Sequence, residues 1–186
     1  MGRPKYGPGD ATARDRLSNA YWEMLAGMPF DEITVRTLSQ KAGVNHNTFY
    51  RHFQGMDQMA AALFDEDIVR RFSSTLFSIA NGDSVDQVME PDDARKVALY
   101  ARSGSSLLTT ILREAIERVW LEAVGVDPYS LTKEQQMDCD IIFGGIVAAM
   151  GDPRLVPGRD TLAEVLSRPL GKTMLATLRD IARTTD

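Results

Sequence analysis

Residues 30–59 constrain the fold of this chain more than any other segment, because they place a tight Ala-Gly-Val corner between two short helical patterns. The first pattern covers residues 35–42. Gly43 permits the positive φ that such a corner requires, and Asn45 is a suitable N-cap for a second helix over residues 46–53. The sequence therefore predicts a helix-turn-helix motif.

The rest of the chain also has helical periodicity, and no segment alternates as a β-strand does. In a first helix over residues 12–26, the stripe that faces the core consists of Leu17, Ala20, Tyr21, Met24 and Leu25. One long helix is expected over residues 57–80, followed by helices ending near residues 102, 124 and 151 and a last segment interrupted at Pro169. We expect an all-α chain, with an amino-terminal three-helix head and a carboxy-terminal helical bundle.

Two further helix starts carry capping residues. Thr34 is a suitable N-cap for residues 35–42, but Thr37 stands where a capping box has Glu or Gln, so no box is expected there. Thr132 and Gln135 have the spacing of a capping box.

Composition narrows the class of protein. No run approaches the roughly 20 apolar residues of a membrane span, and residues 1–10 lack the apolar stretch of a secretory signal. The single cysteine, Cys139, excludes an intrachain disulfide and fits a reducing cytoplasm. We interpret it as a core residue rather than a redox sensor. A cytoplasmic protein with no membrane segment is expected.

The net charge of −5 divides unevenly along the chain. Residues 1–53 contain seven Lys or Arg and five Asp or Glu, whereas residues 54–186 contain 14 and 21. A mildly basic end on an acidic body suits a protein that contacts phosphates with one end only.

The second helix of the motif is built like a DNA-reading helix. Phe49 and Phe53 face inward, which leaves polar side chains outside: His46, Asn47, Thr48, Tyr50, Arg51 and His52. Such a helix fits the major groove, where an amide can read adenine and hydroxyls can donate to phosphates. The alternative is a structural three-helix unit in which these side chains form a solvated face.

The segment ITVRTLSQKAGVNHNTFYRHFQGMDQM resembles the DNA-binding signature of the TetR/AcrR family of bacterial transcriptional regulators, over about residues 14–63. The resemblance implies an all-α homodimer whose head binds double-stranded DNA and whose body binds a small effector and the partner subunit. We accordingly divide the chain into an arm (residues 1–11), a DNA-binding head (residues 12–56) and an effector-binding and dimerisation body (residues 57–186).

Residues at positions that match the family's motif are assigned the roles that the resemblance implies. The phosphate-positioning residues would be Thr34, Arg36, Asn45, Thr48, Tyr50 and His52, and the base-reading residues His46, Asn47 and Arg51. One departure is Met56, where the family usually has a lysine that meets a phosphate. We therefore expect a log–log salt slope of DNA binding that is shallower by about 0.9.

The arm contains Gly-Arg-Pro at residues 2–4, which is similar to hooks that bind the minor groove. Arg3 and Lys5 are the candidate contacts. The alternative is a disordered tail with two ordinary basic residues.

A face of small residues is predicted on the helix that ends near residue 151. It consists of Ile141, Gly144, Gly145, Ala148 and Ala149. Glycine within a helix costs up to about 1 kcal/mol relative to alanine, so a closely crossing helix should compensate. In the family the last two long helices form the dimer bundle, and this segment with residues 162–181 has the corresponding place. Close packing within one subunit is the alternative.

The effector pocket is only weakly marked. Its candidates are large side chains that also fill cores: Tyr100, Trp120, Met137 and Phe143. No cofactor is expected, and no metal site, since the body has no histidine and one cysteine. No arrangement of charges indicates the sign of the effector.

These patterns favour a sequence-specific DNA-binding regulator, namely a homodimeric repressor released from a palindromic operator by a small effector. The alternative is an activator or a regulator that needs no ligand. An enzyme is not expected, since there is no phosphate-binding glycine loop and no GxSxG, and Cys139 is remote in sequence from both histidines. A purely structural helical adaptor would show no salt-dependent affinity for DNA.

Overall fold

The computed structural model of the protein describes residues 12–83, 90–152 and 166–185. Within these ranges every regular element is a helix. The chain divides into two compact units, Met1–Phe64 and Asp65–Asp186, whereas the sequence suggested a division after residue 56. No helix in the described ranges is long and apolar enough to cross a membrane.

The first unit consists of α1 (Ala13–Leu25), a 3-10 turn (Phe30–Glu32), α2 (Val35–Lys41), α3 (His46–Tyr50) and α4 (Met56–Leu63). The stripe predicted on α1 is buried at every position, which confirms that prediction. Helix α1 packs against α2 and α3. The fully buried side chains of this core include Leu17, Tyr21, Leu38, Phe49 and Met59.

The start of α2 differs from the sequence prediction. Thr34 is the N-cap as predicted, and its hydroxyl accepts from the N–H of Thr37 at 3.1 Å. A capping box is nevertheless present, because the Thr37 hydroxyl accepts from the N–H of Thr34 at 3.1 Å. A threonine hydroxyl can do this since it both donates and accepts.

The recognition helix is shorter than predicted. It ends at Tyr50, with Arg51 as its C-cap, so that His52 and Phe53 follow in a turn. The N–H groups of His52 and Phe53 both donate to the carbonyl of Phe49 at 2.9 Å. This tight turn still brings Phe53 into the core, where it is 3% exposed.

The single helix expected over residues 57–80 is two helices, α4 and α5 (Glu66–Asn81). Phe64 takes an extended ψ of 118°, and the Asp65 carboxylate accepts from the N–H of Ile68 at 3.0 Å. Asp65 is therefore the N-cap of a new helix whose first turn carries Glu66 and Asp67. The apolar periodicity across this break concealed the capping signal.

The second unit contains α5, α6 (Pro91–Ala101), α7 (Ser106–Val124), a 3-10 turn (Pro128–Ser130), α8 (Lys133–Gly151) and α9 (Pro169–Thr185). Helix α7 is central, because it packs against α5, α6, α8 and α9. Four of its fully buried side chains recur every four residues: Leu108, Leu112, Ile116 and Trp120. Leu121, next to the last of them, is fully buried as well. The predicted capping box of Thr132 and Gln135 and the helix start at Pro169 are confirmed.

Candidate nucleic-acid interface

The corner between α2 and α3 is a helix-terminating motif centred on Gly43. Gly43 has a φ of 62°, in the left-handed region that favours glycine. Its N–H donates to the carbonyl of Gln40 at 3.2 Å, and the N–H of Val44 donates to that of Ser39 at 3.0 Å. This pair of hydrogen bonds is the Schellman arrangement, which ends α2 sharply and fixes where α3 begins.

Helix α3 has one packed side and one open side. Phe49 is fully buried, and its ring lies 5.6 Å from that of Phe53, centroid to centroid. On the open side Tyr50 is 52% exposed. The Asn45 side chain caps the helix by accepting from the N–H of Asn47 at 2.8 Å. Aromatic packing therefore fixes the helix, and its polar side faces outward.

The residues predicted to contact phosphates and major-groove base edges lie in the first unit, on α3 and at its two ends and at the start of α2. The exposed members are Thr34, Arg36, Asn45, His46, Asn47, Tyr50, Arg51 and His52, whereas Thr48 is half-buried. Their contact with DNA remains a prediction.

Two pairs of side chains organise the open side of α3. The His46 and Tyr50 rings meet edge to face with centroids 5.0 Å apart. Arg51 Nη2 donates to the Thr48 hydroxyl at 3.0 Å. A guanidinium has five N–H donors, so Arg51 keeps others with which to bind a guanine edge or a phosphate.

Thr34 and Asn45 already serve as N-caps, which gives both residues a structural role as well as the predicted phosphate role. Met56 is the first residue of α4, and the preceding Gly55 provides no side-chain cap. Arg3 and Lys5, the predicted minor-groove contacts, lie outside the described residues.

One interaction at the corner was missed by the sequence analysis. Arg16, on α1, donates from Nη1 to the carbonyl oxygen of Gly43 at 3.3 Å. The two residues are 27 positions apart, and nothing in the local sequence of either indicates the contact.

In the second unit, the predicted dimer face lies on the outside of α8. Ile141 is 72% exposed, and Gly145 and Ala148 are exposed as well. Gly144 and Ala149 are half-buried. The opposite side of α8 is buried, through Ile142, Phe143, Ile146, Val147 and Met150. A Cβ built on Gly144 or Gly145 meets no described atom within 4 Å, so packing against the described residues does not explain these glycines.

The four candidate pocket residues are not brought together. Trp120 and Phe143 are fully buried with ring centroids 5.9 Å apart, and Tyr100 is 2% exposed. Met137, however, is 57% exposed. It precedes Phe143 by six residues, and at about 100° per residue this places the two on different sides of the helix. Met137 therefore shares the outward side with Ile141.

A charged cluster between α7 and α8 was also missed. Arg113 Nη1 lies 2.8 Å from both Glu117 Oε2 and Asp140 Oδ1, and Gln136 Nε2 donates to Glu117 Oε1 at 3.1 Å. Glu117 is 6% exposed, and burial raises the pKa of its carboxyl. Burial, with Glu117 nearby, also raises the pKa of the Cys139 thiol to about 12. In the described parts of the chain no three His, Cys, Asp or Glu side chains are grouped to hold a metal.

The helix-turn-helix of the first unit matches a family of known proteins. The family described as "Bacterial regulatory proteins, tetR family" matches residues 19–63, which run from within α1 to the end of α4. The solved structure of the TetR family repressor AlkX from Dietzia sp. strain DQ12-45-1b, implicated in biodegradation of n-alkanes, has 14% sequence identity and a TM-score of 0.43. The match covers 94% of this chain and 100% of the AlkX chain. The segment that matches the tetR family of bacterial regulatory proteins is thus the helix-turn-helix of the first unit.

Proposed function

We propose that this chain is a homodimeric transcriptional repressor that binds a palindromic operator and is released from it by a small-molecule effector. The observation that carries the proposal is the two-sided construction of α3. Phe49 is fully buried beneath it, while the polar residues around Tyr50 are exposed. A helix fixed on one side and rich in hydrogen-bonding groups on the other is suited to the major groove.

In this proposal His46, Asn47 and Arg51 read base edges. An Asn amide matches adenine and an Arg guanidinium matches guanine in the major groove. The phosphate contacts come from Thr34, Arg36, Asn45, Thr48, Tyr50 and His52, and they set the register of the helix without reading sequence. Arg3 and Lys5 would add contacts in the minor groove.

The homodimer is supported by the outer side of α8. Ile141 is an exposed large apolar residue, and no described atom lies within 4 Å of a Cβ built on Gly144 or Gly145. A second copy of the same face would bury the isoleucine and would approach closely over the glycines, as small residues allow. In a symmetric dimer the two α3 helices would enter successive major grooves, roughly 34–36 Å apart.

Release requires an effector that binds the second unit more tightly when the protein is off the operator. A ligand with equal affinity for both states shifts nothing, however tightly it binds. Tyr100, Trp120 and Phe143 are proposed to border the effector site, and Met137 is withdrawn from it because it faces outward. The proposed role is non-enzymatic and cytoplasmic, and it requires no cofactor or metal.

The test is a selection of genomic DNA fragments by the purified full-length chain, followed by footprinting of the selected fragments. The proposal expects a protected inverted repeat with half-sites about one helical turn, or a multiple of it, apart. Replacing Asn47, Tyr50 and Arg51 together with alanine should abolish the enrichment. Arg70→Ala, which removes an exposed arginine of the second unit, is the control and should leave it intact.

Undiminished enrichment by the triple variant would overturn the assignment of α3. A reporter gene placed behind the selected operator then separates a repressor from an activator, the alternative function. A metabolite screen for compounds that dissociate the complex tests release, and a regulator without a ligand would give no hit at any concentration that leaves the protein folded.

A further inference from the structure

The corner of the helix-turn-helix is held from outside the motif by an arginine. Arg16 belongs to α1, and its Nη1 donates to the Gly43 carbonyl at 3.3 Å. Gly43 lies between α2 and α3, so this hydrogen bond joins the supporting helix to the point from which the recognition helix starts.

The Gly43 carbonyl needs such a partner for a physical reason. The corner satisfies two earlier carbonyls of α2, those of Ser39 and Gln40, with the N–H groups of Val44 and Gly43. Gly43 follows Ala42, the C-cap of α2, so its carbonyl lies beside the end of the helix where orphan carbonyls concentrate negative potential. A guanidinium is an effective donor there because it combines a positive charge with several N–H groups.

The surroundings of Arg16 show that its side chain is held against the head. The residue is half-buried, and its Nε is shielded from solvent with no hydrogen-bond partner among the described residues. A Cβ built on Gly43 would find Arg16 Nη1 as its only neighbour within 4 Å, at 4.0 Å. An arginine that served only as a solvated charge would keep its Nε in water.

We propose that Arg16 is a positioning residue for DNA binding, which fixes the orientation of α3 through the Gly43 carbonyl. The inference deepens the proposed function and rests on it. Loss of the hydrogen bond would let the corner move, and base contacts would suffer more than phosphate contacts because they require closer alignment. Arg16 would then determine specificity without touching DNA.

The test compares Arg16→Met, which keeps the length of the side chain but no donor, with the wild-type full-length chain. Affinity is measured for the selected operator and for unrelated DNA over a range of salt concentrations. We expect about a tenfold loss for the operator, which is a 1.4 kcal/mol effect, with unrelated DNA and the salt slope unchanged. Lys41→Met is the matched control, because it removes the cation of the exposed Lys41–Glu23 pair between α2 and α1 without touching Gly43.

A second readout needs no DNA. Hydrogen exchange of the Gly43 and Val44 amides should be faster in Arg16→Met than in wild type and Lys41→Met, at temperatures where all three are folded. If Arg16→Met fails to fold, Arg16→Lys replaces it, because lysine keeps the charge with a shorter reach. We then expect a smaller loss of operator affinity and a smaller increase in amide exchange.

Two results would overturn the proposal. One is an unchanged ratio of operator to unrelated-DNA affinity together with unchanged amide exchange. The other is equal loss on both DNAs with a salt slope lower by about 0.9, which would make Arg16 a direct phosphate contact. If the wild-type chain prefers no DNA at all, the proposed function fails, and the exchange measurement still decides whether Arg16 holds the corner.

Discussion

The indole N–H of Trp120 donates to the main-chain carbonyl of Ser73 at 3.1 Å, which links α7 to α5 in the core of the second unit. The Ser73 hydroxyl donates in return to the carbonyl of Ile116 at 3.3 Å. The Trp120 ring also meets Phe77 and Phe143 edge to face, with centroids 5.4 and 5.9 Å away. Trp120 therefore has a packing role in this core, whether or not an effector lies beside it.

Trp120→Phe should destabilise the second unit by about 2–3 kcal/mol, because it removes the donor to Ser73 and leaves a cavity where the larger ring was. Urea unfolding followed by circular dichroism measures the loss. Trp22, in the first unit, is the only other tryptophan, so its fluorescence reports the first unit separately in this variant. A midpoint equal to that of wild type would contradict the packing role.

Glu117 should make the stability of the second unit depend on pH. Burial raises the pKa of its carboxyl in the folded state above the ordinary value of 4.5, so the folded state binds the proton more tightly than the unfolded chain. The contribution of Glu117 to the free energy of unfolding is therefore complete below about pH 4.5. It is lost as the pH rises through the raised pKa that this carboxyl has in the folded state. Glu117→Gln should flatten the profile in that range, since the amide carries no titrating proton.

The control for this experiment is Glu122→Gln, which changes an exposed carboxylate on the same helix that pairs with Arg70. The other charged groups around Glu117 are Arg113, Asp140 and Glu114, and they are retained in both variants. Thermal unfolding between about pH 4 and 8 gives the profile. Parallel profiles for wild type and Glu117→Gln would show that Glu117 does not titrate differently in the two states.

Cys139 should be inert in the folded protein. Its side chain is fully buried and its thiol pKa is raised to about 12, so both access and the thiolate form are suppressed at neutral pH. Alkylation with iodoacetamide at pH 8 should proceed only as fast as the second unit opens, and rapidly once urea is added. Mass spectrometry follows the alkylation. Fast modification of the native protein would contradict the burial of Cys139.

Gly145→Leu should convert the proposed dimer into monomers, because a leucine would fill the space over which a second α8 must approach. Sedimentation velocity measures the state of assembly. Thr110→Leu places the same side chain at an exposed position of α7 and should leave the dimer intact. An unchanged dimer in Gly145→Leu would move the interface away from this side of α8.

Met56→Lys should strengthen operator binding and steepen its dependence on salt by about 0.9 in the log–log slope, corresponding to one added phosphate contact. Met56 begins α4, where a cation would lie at the family's phosphate-contacting position. Ala62→Lys adds the same charge near the other end of the helix and should change the slope less. Equal slopes for wild type and Met56→Lys would remove the contact from this position.

The sequence by itself determined the features that depend on residues three or four positions apart. The buried stripe of α1, the caps at Thr34, Asn45 and Thr132, and the corner at Gly43 all follow from helical spacing and backbone preference. The family motif lies within this same local information, so the DNA-binding head was identifiable before any coordinates.

Only the tertiary structure decided the contacts and exposures that depend on how the helices pack against one another. Arg16 reaches Gly43, and Arg113 reaches Asp140, across 27 residues in each case, and no local pattern encodes either contact. The outward position of Met137 and the open space beside Gly145 likewise emerged only when neighbouring helices were in place. Periodicity tells which side of a helix is apolar, but only packing decides which of its neighbours covers that side and which residues remain uncovered.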